Sequence, residues 1–171
     1  RLDKAVFPGL QGGHLEHVIA GKAVCFLLAS TEEFRVRQHR TVVNARALAE
    51  ALLEGGLRLV SGGTDNHLML VDFSGTEMTG KRAQELLDRI GITANKNSVP
   101  YDERPATVTS GLRLGTPAMT TRGFGPEEMR QVGQIIVEAL TGDPSEAELD
   151  RLLARSRELT AAFPLYPSMA L

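Results

Sequence analysis

Apolar residues at helical spacing form the first legible element of the chain. Leu15, Val18, Ile19, Ala23, Phe26 and Leu27 recur every three or four positions behind a glycine-rich stretch over residues 1–13. That pattern predicts a loop and then a helix beginning near Leu15. Ser30-Thr31-Glu32-Glu33 reads as a capping box, the Ser30 hydroxyl closing the first turn and Glu33 reaching back. A long helix should follow, with Phe34, Val43, Leu48, Ala51 and Leu52 inward, and Gly55-Gly56 should end it, because glycine takes the left-handed cap cheaply.

Beyond Gly56 the period shortens. Residues 57–60 and 67–73 read as strands around the turn Gly62-Gly63-Thr64-Asp65-Asn66. Thr79 should cap a helix that runs through Ile90 and closes at Gly91. Residues 92–94 and 111–115 read as further short strands. Pro126 suits a first helical position, with Glu127 and Glu128 at the positive end of the helix dipole. Ser145-Glu146-Ala147-Glu148 is a second capping box, and the helix it opens should end before Pro164. Helices and strands alternate on a small sheet, which predicts an α/β sandwich. The chain holds no internal repeat.

Composition narrows the class. The 171 residues, 42% of them hydrophobic, are enough for one ordinary domain, or one domain and an appendage. A net charge of −2 and a pI of about 6.1 leave no basic face for nucleic acid. No apolar run approaches the roughly 20 residues that span a bilayer. The single cysteine, Cys25, excludes an internal disulfide and suits a reducing compartment; its apolar helical setting predicts a buried, inert thiol. Arg1-Leu2-Asp3-Lys4 is not a signal peptide and reads as a cut inside a larger protein.

Chemistry concentrates in few places. In Val108-Thr109-Ser110-Gly111-Leu112-Arg113-Leu114-Gly115-Thr116-Pro117-Ala118 one arginine stands inside a glycine-flanked apolar run. A strand end of this kind presents a two-pronged guanidinium to a carboxylate, although the same pattern also describes a solvent-facing strand residue or a structural ion pair. Gly12-Gly13 before a helix start suits a phosphate on bare backbone amides, or a simple turn. Asn97, in a polar loop after a strand, either serves a turn or uses its donor-and-acceptor amide on a polar heteroaromatic ring. Asp65, Asn66 and His67 are adjacent, so their side chains point different ways, and they read as turn chemistry. The four histidines, His14, His17, His39 and His67, form no pairing that implies a metal site.

Four blocks in order carry a resemblance. They are Ala5-Val6-Phe7-Pro8-Gly9-Leu10-Gln11-Gly12-Gly13, Leu59-Val60-Ser61-Gly62-Gly63-Thr64-Asp65-Asn66-His67, Thr93-Ala94-Asn95-Lys96-Asn97-Ser98-Val99-Pro100-Tyr101-Asp102, and the Arg113 block continued through Met119-Thr120-Thr121-Arg122-Gly123-Phe124. Together they resemble serine hydroxymethyltransferase over nearly all of residues 1–140. The resemblance implies the C-terminal part of a fold-type I, pyridoxal-phosphate-dependent transferase. Residues 1–30 would be a remnant of the large cofactor-binding domain, 31–56 a connecting helix, and 57–171 the small α/β domain.

It further implies an enzyme that interconverts serine and glycine with pyridoxal 5'-phosphate as cofactor and tetrahydrofolate as one-carbon carrier, cytoplasmic, and a homodimer or tetramer. By the same resemblance Arg113 holds the substrate carboxylate and Gly12 and Gly13 reach the cofactor phosphate of a neighbouring subunit. Asn97 contacts folate, with Pro105, Ala106 and Thr107 lining that pocket. His14 stands where the family usually has proline. None of Lys4, Lys22, Lys81 and Lys96 lies in the family's Schiff-base motif, so this portion carries no catalytic lysine and would be inactive without the missing N-terminal half. Two other readings stay open: another fold-type I enzyme, an aldolase or aminotransferase, and a non-catalytic assembly module.

Overall fold

The computed structural model describes residues 1–165. These divide into two compact units, residues 1–36 and the described residues from Arg37 onward. In the first, a single turn α1 (Leu2–Lys4) runs into a wide turn over Ala5–Leu10. Phe7 is extended there (φ −134°, ψ 125°), so the stretch is wound but is not a continuous helix. Helix α2 (Glu16–Ala29) begins one residue beyond the expected start and buries none of its residues. Cys25 is therefore exposed, not buried as its apolar neighbours predict. The apolar residues of α2 lie on all sides of the helix. Val18, Ile19, Phe26 and Leu27 are 40–72% exposed, because nothing described within this unit covers them.

Helix α3 (Glu32–Glu54) has a different cap from the one the sequence suggests. Ser30 donates its hydroxyl to Leu27 O (2.7 Å), finishing α2. Thr31 Oγ1 takes the cap and accepts from Phe34 N–H (3.2 Å). The helix ends at Gly55-Gly56 as expected, with Gly56 at φ +84°.

The second unit carries a four-stranded sheet: β1 (Arg58–Leu59), β2 (Leu68–Asp72), β3 (Asn95–Asn97) and β4 (Gly111–Gly115). Its order is β1-β2-β4-β3, and every neighbouring pair is antiparallel. Mixed helices and sheet fit the expected α/β fold. The strand predicted at 92–94 forms instead at 95–97. Ile92 N–H is still held by Leu87 O (2.9 Å) at the end of α4 (Gly80–Arg89), so the chain is free to pair only afterwards. Asn97 thus ends a strand instead of following one.

Helix α4 starts where Thr79 Oγ1 accepts from Arg82 N–H (3.1 Å), and Ile90 and Gly91 close it, all as predicted. A Cβ on Gly80 would lie 2.2 Å from both Gly111 O and Thr109 Oγ1, so only glycine lets α4 begin against the sheet. The short α5 (Pro117–Arg122) was not legible as a helix; its one signal is a proline at its first position. Helix α6 (Pro126–Leu140) and α7 (Glu146–Ala162) begin at the expected caps. Leu52, Leu59, Val71, Leu87, Leu112, Phe124, Ile136 and Leu152 meet in one core between the helices and one face of the sheet. Each such side chain contributes roughly 1.5–3 kcal/mol by leaving water.

Candidate functional site

Alternation along β4 decides what the sheet offers to solvent. Leu112 and Leu114 are buried, and Arg113 between them is exposed. Arg113 is the middle residue of the strand, because pairing with β2 continues to Leu68 opposite Gly115. The expected strand end is thereby corrected. Across the sheet Arg113 stands opposite Asn95 on one side and Leu70 on the other, and Asn97 stands opposite Gly111. Paired residues and residues two apart share a face. Asn95, Asn97, Gly111 and Arg113 therefore line the face turned away from the core. No described residue gives the Arg113 guanidinium a hydrogen bond or ion pair. A guanidinium presented on a sheet, uncommitted, is a bidentate partner for a planar carboxylate.

Asn97 is half-buried and donates Nδ2 to Ser98 O (2.8 Å). Pro105, Ala106 and Thr107 are exposed in a turn of the β3–β4 loop, where Pro105 O accepts from the N–H groups of Val108 (2.8 Å) and Thr109 (3.0 Å). Two residues that the sequence did not single out shape this loop. Asp102 accepts from Val99 N–H (3.2 Å), Arg104 N–H (3.0 Å), Ser110 N–H (2.8 Å) and the Ser110 hydroxyl (2.7 Å). The Ser110 hydroxyl, together with these backbone donors and against the effect of burial, holds the Asp102 carboxyl down to about 2. Arg104 donates to Met78 O (2.5 Å) and Thr76 O (2.6 Å). The bonds from Arg104 N–H, two residues on, and Val99 N–H, three residues back, are local turn chemistry of the kind an aspartate in a loop offers. The Ser110 bonds reach eight residues along the chain, and those of the Arg104 guanidinium 26 and 28.

Gly12 and Gly13 belong to the other unit. Both are exposed, nothing lies within 4 Å of a Cβ built on either, and no described residue accepts from their N–H groups. They and His14 line an open groove of about 460 Å³ whose wall includes Lys22. Uncovered amides beside an ammonium group fit a phosphate monoester. Thr64 and Asn66 are occupied in the turn before β2: Asn66 Oδ1 accepts from Leu68 N–H (2.9 Å), and the Thr64 hydroxyl donates to Leu68 O (2.6 Å). Among the described residues no three His, Cys, Asp or Glu side chains gather as a metal set, and no helix is long and apolar enough to cross a membrane.

Comparison with known proteins points to one family. The family model described as serine hydroxymethyltransferase matches residues 1–136. The chain is similar to a serine hydroxymethyltransferase of Myxococcus xanthus, 54% identical over 167 residues, covering 98% of this chain and 40% of that protein. Proteins of the same name from Erythrobacter litoralis and Crocosphaera subtropica are each 55% identical, covering 97% and 99% of this chain. The chain spans about 40% of the length of these curated relatives.

Proposed function

This chain belongs to the serine hydroxymethyltransferase family, and from that premise we propose that it serves a complete protein which interconverts serine and glycine with tetrahydrofolate as one-carbon carrier. The observation that carries the reading is the shared sheet face: Arg113, without a partner among the described residues, and Asn97 on the neighbouring strand, opposite Gly111 two positions along. Arg113 grips the amino-acid carboxylate with both prongs. That fixes the substrate about its Cα, so geometry selects which bond lies in line for cleavage. Asn97 orients the folate ring through its amide, and the turn at Pro105, Ala106 and Thr107 closes the same pocket. The amides of Gly12 and Gly13 hold the phosphate of pyridoxal phosphate in a neighbouring subunit, with Lys22 adding charge.

Pyridoxal phosphate, when bound, supplies the electron sink for chemistry at Cα. The residues of this chain bind and orient, and the reacting groups come from the remainder of the protein. In that assembly residues 1–30 belong to the large domain, 31–56 connect, and 57–171 form the small domain. Support for the first assignment comes from α2, whose apolar residues lie uncovered on all sides, as in a helix meant for a larger core. The protein acts as a cytoplasmic homodimer or tetramer, and this chain alone is inactive. The reading is tested by following glycine formation from serine in the full-length protein with and without tetrahydrofolate. Formation that depends on the folate is expected; equal rates in both would overturn the reading.

A further inference from the structure

Three residues beyond Arg113, Thr116 is fully buried and is bonded to three elements at once. Its N–H donates to His67 O (3.1 Å) at the entrance to β2. Its hydroxyl donates to Thr41 O in α3 (2.8 Å). Its carbonyl accepts from the N–H (2.9 Å) and hydroxyl (2.8 Å) of Thr120 in α5. The Thr120 hydroxyl in turn accepts from Asn44 Nδ2 (2.9 Å), whose second proton goes to Phe124 O (2.9 Å). Asn44, Thr41 and Thr120 are at most 4% exposed. Such a network holds one geometry, because breaking a link strands a buried polar group.

Leu112, Leu114 and Thr116 are buried while Arg113 and Gly115 are exposed, so Thr116 continues the core side of the strand. A strand advances about 3.3 Å per residue, so a shift at Thr116 reaches Arg113 with only two residues to absorb it. We propose that Thr116 is the positioning residue of the carboxylate site: pinned to the Thr41 carbonyl, it sets where along the sheet the Arg113 guanidinium stands. This rests on the reading of Arg113 as the partner of the amino-acid carboxylate.

The test is serine binding by calorimetry in the full-length, cofactor-loaded protein, with the thermal midpoint measured alongside. Thr116→Val keeps the shape and removes the hydroxyl. It should weaken serine about tenfold, the order expected for a sub-ångström misplacement, while Thr116→Ser restores binding. In an Arg113→Lys background Thr116→Val should change nothing further, because the group it positions is gone. If Thr116→Val unfolds too easily to be titrated, Thr120→Val breaks the next link and carries the same expectation. Wild-type affinity in the valine variant, or the same loss in both backgrounds, overturns the positioning role and leaves Arg113 intact. Wild-type affinity in Arg113→Lys overturns the reading beneath it.

Discussion

Asp102 grips Ser110 twice, through the backbone N–H (2.8 Å) and the hydroxyl (2.7 Å), and so closes the base of the β3–β4 loop. Ser110 immediately precedes β4, and Val99, held by the same carboxylate, follows β3 by two residues. One side chain therefore fixes both ends of the loop between Asn97 and Arg113.

The first prediction concerns acid. The Asp102 carboxyl is held at about 2 against an ordinary 3.8. Its folded-state value is depressed, so its contribution to stability is complete above the ordinary value and is lost as pH falls through the folded one. Between about pH 4 and pH 2 the wild type should lose stability that Asp102→Asn never had. Urea titrations of both proteins across that range check it; parallel acid limbs would refute the latch.

Arg113→Lys should weaken serine binding in the full-length protein by about 2–4 kcal/mol and leave the bound cofactor in place. Lysine keeps the charge but loses the fork. Titration with serine, followed in the same sample by the cofactor's absorbance, separates the two effects. Unchanged serine affinity would place the carboxylate elsewhere.

Asn97→Ala should separate folate chemistry from amino-acid chemistry. Losing one or two hydrogen bonds should cost about 1–3 kcal/mol of folate affinity. Cleavage of a bulky 3-hydroxy amino acid without folate should be nearly spared. Rates of both reactions on one preparation decide the matter, and equal falls would mean that Asn97 acts through the fold.

Gly80→Ala should destabilise the chain by about 1–3 kcal/mol, because the added methyl meets backbone on one side and Thr109 Oγ1 on the other, both at 2.2 Å. The N–H groups of Gly80 and Lys81 donate to Thr109 O and Val108 O, both at 3.0 Å. The same substitution should therefore loosen the loop and lower folate affinity in the full-length protein. A denaturation midpoint equal to wild type would show that α4 can back away freely.

Pyridoxal phosphate added to this chain alone should leave no stoichiometric borohydride-stable adduct on any one lysine. Lys81 is 59% exposed beside Glu85, Lys4 and Lys22 are exposed as well, and Lys96 is half-buried in β3, so none of the four amines is buried in a site that would enclose the aldehyde. Peptide mapping by mass spectrometry checks the expectation, and a single fully modified lysine would contradict it.

Element ends and the strand holding Arg113 were legible in the sequence because their causes are local. A threonine three residues before an amide, a serine reciprocated by Glu148, or glycines after a helix all act within one turn of chain. Alternation around Arg113 was local in the same way. The expected Ser30 cap was lost to an equally local rival, the Leu27 carbonyl three residues back. The tertiary structure alone decided the rest. The strand at residues 92–94 moved to 95–97 because α4 held Ile92 and β4 offered its register to Asn95. Asp102, Arg104, Asn44 and Thr116 gained their roles from partners up to 80 positions away in the chain. Caps and turns are settled by neighbours a few bonds off, whereas register and buried polar pairing are settled by whichever distant groups the collapsed core brings within hydrogen-bond reach.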